Sequence, residues 1–318
     1  MQNFQILKHT NLIRGNDENH IQQEEYDIID IIRLSENKYL FYNKRDISIL
    51  NKMCLSRVFK NVLPLGEQIL QVEQLYKDLI VVCSQHTLVI FSTLLGKRIK
   101  QLSLKELEIT SFLVLDKDTI LLSHKQYVLK VNLFDGYDCK NNHIIHRTKL
   151  DQPICKIYKK SKQEILIQTY YENLHVLNLE TRQITKYYYY DLPSRLFTDA
   201  VLFKNDILVS YSRGHEQVNR MNIRNGSNSY IDNNQLIYQM KSLDDTEQKH
   251  LIVSFNNGKV VIYERKNQRE VAIYQEEGGE HLRNSIYPLK DNQILIINQM
   301  FARIVELEIA ERNYCTFF

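Results

Sequence analysis

The chain has no tryptophan, and only nine glycines and four prolines in 318 residues. Such scarcity excludes a collagen-like chain or a Gly/Pro-rich linker. The five cysteines (Cys54, Cys83, Cys139, Cys155, Cys315) are scattered, odd in number and without a Cys-x-x-Cys pair. They form neither a disulfide framework nor a zinc ribbon, and fit buried thiols in a reducing intracellular compartment. No apolar run approaches the ~18–20 residues of a membrane helix. The stretch "MQNFQILKHTNLIRGNDENH" has no long apolar segment, so it does not read as a secretory signal. An excess of one charge is also missing: 41 Lys and Arg stand against 38 Asp and Glu, a net +3. That balance does not point to nucleic acid or an anionic membrane as the main partner.

What is present is apolar and β-forming. Hydrophobic residues make up 43% of the chain, enough for a sizeable core, and there are 20 tyrosines. A polar turn followed by a short apolar run occurs seven times: "SENKYLFYN", "YKDLIVVCS", "DKDTILLSH", "SKQEILIQT", "FKNDILVSY", "EQKHLIVSF" and "KDNQILIIN". Anchored on Leu40, Ile80, Ile120, Ile165, Ile207, Leu251 and Ile294, the steps run from 40 to 45 residues. Each unit holds four strand-like runs. In the third these are "ITSFLVLD", "DTILLSHK", "YVLKVNLFDG" and "HIIHRTKL". The second run is continuously apolar, as for a strand buried on both faces, and the later runs alternate. Four strands at this period predict propeller blades. The expected fold is therefore all-β, a seven-bladed β-propeller of four-stranded antiparallel blades. It occupies 27–318 as one domain, and 1–26 supplies a closing strand and an acidic loop. "NFQILKHTNLI" (3–13) is preferred over "YCTFF" (314–318) as the outer strand of the last blade.

The units resemble WD repeats. "VLNLETRQITKYY" is similar to the end of such a repeat, with Leu177 and Asn178 where Trp and Asp stand in the family. "NGKVVIYERKNQREV" (257–271) resembles the turn and third strand, and "GEHLRNSIYPLKDNQILIIN" (279–298) the Gly-His start, with His281 as its histidine. Ser84, Ser123, Thr169, Ser210 and Ser254 recur near the end of the second strand, where the family carries Ser or Thr, and Asp46 matches the turn aspartate. No blade holds the family's full His, Ser/Thr, Asp and Trp network. Filling its place with Leu, Ile and Tyr is compatible with a stable fold. The resemblance implies a rigid platform for protein partners.

No catalytic motif is found. Ser212, His215 and Glu216 in "YSRGHEQ" lack a G-x-S-x-G elbow and read as a polar hairpin tip. Arg213-Gly214 in the same stretch match half of the Arg-Arg-Gly motif of phosphoinositide-binding propellers. His143 and His146 face opposite sides of a strand, so they make a poor metal pair. His86, His124 and His215 sit on separate blades. No phosphate-cradling glycine loop occurs. The basic runs "KIYKKSK" (156–162) and "GKRIK" (96–100) read as solvated turns, with single-stranded RNA as the alternative. Catalytic, cofactor and metal sites are all expected to be absent. An enzyme using the central pocket would need convergent charged residues on the first strands, which supply chiefly Asp30 and Glu73.

Two candidate partner sites remain. Asp17, Glu18, Glu24, Glu25, Glu276, Glu277 and Glu280 lie in two loops expected on one face, forming an acidic corner for a basic partner or a set of solvated loops. Tyr187, Tyr188, Tyr189 and Tyr190 belong to an outer strand, and either pack between blades or anchor an interface. The expectation is a non-enzymatic interaction scaffold, a subunit of a larger intracellular and most simply cytoplasmic assembly. RNA or phosphoinositide binding is the second reading.

Overall fold

The computed structural model describes residues 3–14, 30–35, 38–51, 54–134, 144–170, 174–187, 197–203, 206–211, 217–222, 228–232, 237–243, 250–264, 269–275, 284–289, 293–297 and 301–310. Every regular element among them is a strand. The chain packs as two compact units, one of Asp27–Pro193, the other of Met1–Tyr26 with Ser194–Phe318.

The chain opens with β1 (Asn3–Arg14), which belongs to the second of these units. The Asp27–Pro193 unit then holds four four-stranded antiparallel sheets, each in chain order. They are β2 (Asp30–Ser35), β3 (Lys38–Tyr42), β4 (Ile47–Asn51) and β5 (Cys54–Phe59); β6 (Gln71–Tyr76), β7 (Leu79–Cys83), β8 (Thr87–Ser92) and β9 (Lys97–Ser103); β10 (Ile109–Val114), β11 (Thr119–His124), β12 (Tyr127–Asn132) and β13 (Ile144–Lys149); and β14 (Ile154–Lys159), β15 (Glu164–Thr169), β16 (Leu174–Asn178) and β17 (Ile184–Tyr187). The other unit holds three: β18 (Phe197–Phe203), β19 (Asp206–Tyr211), β20 (Gln217–Asn222) and β21 (Asn228–Asp232); β22 (Ile237–Ser242), β23 (His250–Phe255), β24 (Val260–Glu264) and β25 (Arg269–Tyr274); and β26 (Ser285–Pro288), β27 (Gln293–Ile297) and β28 (Phe301–Ala310), completed by β1. β1 runs antiparallel to β28, from Asn3 opposite Ala310 to Arg14 opposite Phe301. "YCTFF" lies outside the described residues.

Strand alternation explains how the sheets stack. Successive side chains point to opposite faces. In the second sheet Ile80, Val82, Val89 and Phe91 join Leu40, Tyr42 and Ile47 of the first sheet. Their neighbours Val81, Cys83, Leu88 and Ile90 join Phe112, Ile120, Leu122 and Leu129 of the third. Leu121 and Val128 continue the pattern with Ile157, Ile165 and Ile167 of the fourth. In the other unit Ile252, Val260 and Ile262 meet Ile286, Ile294 and Ile296. A strand sandwiched between two sheets must be apolar on both faces, which is why the second runs are continuous. Each fully buried aliphatic contributes roughly 1.5–3 kcal/mol.

Ser84, Ser123, Thr169 and Ser254, near the ends of their second strands, are buried. Ser84 and Thr87 donate to Glu67, and Thr169 Oγ1 donates to Gln152 Oε1 at 2.9 Å. Glu67 and Gln152 lie in the loops leading into β6 and β14. In these blades an acceptor side chain holds the place that a histidine takes in the resembled family. At the β3–β4 turn Asn43 Oδ1 accepts from the Arg45 and Asp46 N–H groups, so the asparagine rather than Asp46 organises that turn.

Candidate interaction surface

First strands of neighbouring sheets touch within each unit, and their outward N–H groups need acceptors. A repeated side chain supplies them. Gln71, Ser111 and Gln239 pair in register with Cys83, Ser123 and Ser254, each three residues past the anchor aliphatic of its second strand. Gln71 Oε1 accepts the Phe112 N–H at 3.1 Å, Ser111 Oγ the Ile157 N–H at 3.4 Å, and Gln239 Oε1 the Ile286 N–H at 2.7 Å. A β-bulge precedes Ser111 and Gln239, as it does Lys156 and Asp199 at the same place in their sheets. Bulges re-aim the side chain that follows them.

Glu73 extends this belt. Its carboxylate accepts from the Val114 N–H at 2.7 Å and from Gln71 Nε2 at 2.9 Å. Burial pushes its carboxyl up to about 7; these two hydrogen bonds and the charge of Lys159 pull it down, and Asp30 pushes it up. Asp30 and Lys159 thus act on Glu73 from two other first strands. Glu73 is hydrogen-bonded to Val114 and Gln71 of the sheets themselves, and among the described residues no three metal-ligating side chains converge.

The surface with most binding character lies around the β8–β9 turn. Ser92 accepts the Leu95 N–H at 3.1 Å and donates to Asp78 at 2.7 Å. Gly96 takes φ +64°, and a Cβ there would meet Phe59 at 3.3 Å, so the turn sits tightly on the first sheet. Leu94 and Leu95 are thereby held in solvent, 64% and 61% exposed, with Val58 and Ile99 about half exposed on β5 and β9. Arg57 donates to the Thr93 and Leu94 carbonyls, and Arg98 to those of Asn61 and Leu63. Lys100 lies over the exposed Phe134 ring at 5.9 Å. Arg57, Lys60, Lys97, Arg98 and Lys100 make the surroundings basic. Exposed leucines set among basic groups can bury apolar area and pair charge with one partner.

The expected sites fare differently. Asp17, Glu18, Glu24, Glu25, Glu276, Glu277 and Glu280 lie outside the described residues, as do Tyr188, Tyr189 and Tyr190. Tyr187 ends β17, its backbone opposite Leu174. His143, Ser212, Arg213, Gly214, His215, Glu216 and His281 also lie outside them. His86 Nδ1 lies 2.9 Å from the Leu107 carbonyl, and His124 Nδ1 accepts the Glu108 N–H at 2.9 Å. Both imidazoles therefore pin the loop before β10. In "KIYKKSK", Lys160 pairs with Glu164 at 2.8 Å and Lys156 lies over the Tyr158 ring at 5.0 Å. "GKRIK", expected as a solvated turn or an RNA contact, lies mostly on β9. The signal missed was the adjacent "LL", two large apolar residues at a turn beside a basic run.

No protein-family model and no curated protein matches the chain. Solved structures do, among them two at 14% identity each. "Crystal structure of BBS1N in complex with ARL6DN, soaked with lead" gives a TM-score of 0.69 over 98% of this chain and 97% of that one. The mercury-soaked form of the same complex gives 0.68 over 98% of each chain. At this identity the likeness carries the fold: four-stranded antiparallel blades in a propeller arrangement. Among the described residues no helix is long and apolar enough to cross a membrane.

Proposed function

We propose that this chain is a non-enzymatic, WD-repeat-like scaffold, a seven-bladed propeller that docks other proteins within a larger intracellular assembly. The exposed Leu94–Leu95 turn in its basic surround carries the reading. Its partner is a protein segment that combines acidic and apolar residues, because only that chemistry meets both halves of the surface. The BBS1N neighbour is itself a complex with another protein, which supports a protein partner over a small ligand. RNA would use the lysines but leave the leucines in water.

Zero-length carbodiimide cross-linking in native extracts tests this, since it joins a lysine only to a carboxylate in contact. Lys97, Lys100 or Lys60 is expected to couple to an acidic segment of a co-purifying protein. L94E/L95E is expected to lose that protein while keeping the wild-type Tm. Retention of the protein by L94E/L95E, with no link at these lysines, overturns the reading.

A further inference from the structure

A second feature lies away from that surface, between the third and fourth sheets. β12 and β13 on one side and the β16–β17 turn on the other enclose a cleft of about 30 Å³. Leu121, Leu177 and Leu179 line its apolar part, and Lys130, His146, Thr148 and Arg182 its polar part. The placement follows from register. Lys130 and His146 are directly opposed on β12 and β13, which puts both side chains on one face. Thr148 is two residues beyond His146 and shares that face. Thr148 Oγ1 and His146 Nε2 are 3.2 Å apart.

Arg182 comes from the other sheet. It has φ +61°, in the left-handed region where glycine or asparagine is the ordinary choice. Its N–H donates to the Asn178 carbonyl at 2.9 Å, which closes the turn without the side chain. The guanidinium is therefore surplus to the turn. No carboxylate lines the cleft. Among the described residues none lies within ion-pair distance of Lys130 or Arg182. Burial lowers the His146 pKa, and the charges of Arg182 and then Lys130 lower it further. On its own strand, Arg147 lies over the Tyr127 ring instead.

We propose that this cleft is an oxyanion site for a phosphoryl group, held between Lys130 and Arg182 with Thr148 and His146 as hydrogen-bonding partners. Two cations match a dianion, and donors from two sheets surround a tetrahedral group better than a planar carboxylate. The volume is that of a few water-sized positions, so it takes the phosphoryl oxygens and not a nucleotide or sugar. Free phosphate and a phosphorylated side chain share this chemistry.

The test follows the His146 imidazole by NMR in the full chain, assigned with His146→Gln. Millimolar inorganic phosphate is expected to raise the His146 pKa, and acetate at equal ionic strength to leave it. Lys130→Gln and Arg182→Gln are each expected to weaken phosphate binding about tenfold, the loss of one charge-assisted contact. Arg182→Gly guards against misfolding, because it relaxes the left-handed turn: Tm is expected to hold or rise while phosphate affinity falls equally. Tighter binding of phosphoserine amide than of inorganic phosphate assigns the site to a phosphorylated side chain, and the reverse order to free phosphate. No response to phosphate, an equal response to acetate, or wild-type affinity in Arg182→Gly overturns the proposal.

Discussion

Glu73 is a carboxyl whose burial outweighs three influences that favour its charge. With its pKa raised from 4.5 to about 7, the folded chain holds a proton that the unfolded chain releases between those values. The sign follows from linkage. Glu73's contribution is fully present below pH 4.5 and is lost as pH rises through about 7. Glu73→Gln keeps an acceptor for the Val114 N–H and removes the titration. Between about pH 5 and about pH 8 the wild type is therefore expected to lose stability relative to Glu73→Gln. Urea unfolding at both pH values measures it, and parallel losses in the two proteins would contradict the assignment. The residue was visible in the sequence as one of the few acids on the first strands. Its altered proton affinity was not, since that arises from burial among strands distant in sequence, against the pull of Val114, Gln71 and Lys159.

The strands themselves were legible for a definite reason. A second strand clamped between two sheets must be apolar at every position, so "LIVVC" and "TILLSH" announce themselves as β7 and β11. The ties between sheets carry no such signature. They join residues 41, 46 and 47 apart, close to the repeat period, and use Gln, Ser and Gln at one structural position. Any side chain with an oxygen of suitable reach serves there, so the residue type is not fixed. The family's buried Trp and His leave a pattern because their shape is demanding; a single acceptor does not. Gln239→Ala strands the Ile286 N–H and is expected to cost about 1–3 kcal/mol. Gln239→Glu, which keeps the oxygen, should cost less. Gln71→Ala should cost more than Gln239→Ala, because Gln71 also accepts from Ser111 Oγ and donates to the Phe112 carbonyl. Denaturant midpoints for the three variants give the order, and equal midpoints for Gln71→Ala and wild type would remove the tie from the account.

The N-terminal strand joins the two ends of the chain. β1 is hydrogen-bonded to β28 and also lies against β25, so the last sheet is complete only when residues far apart in sequence meet. The pairing is long, with register shifts between Ile6 and Lys8 and between Asn11 and Ile13 that let a twelve-residue strand follow a twisted partner. Removing residues 1–14 would turn β28, a ten-residue strand, into an edge with a free row of N–H and C=O groups. Such an edge pairs with whatever strand is available, including a second copy of itself. The truncated chain is expected to melt at lower temperature and to elute as dimers or larger species, with the monomer restored by a synthetic peptide of residues 3–14. Size-exclusion chromatography with light scattering reads the mass, and calorimetry the Tm. A truncated chain that stays monomeric at the wild-type Tm would mean that β28 needs no partner, and that the first fourteen residues serve something other than closing the last sheet.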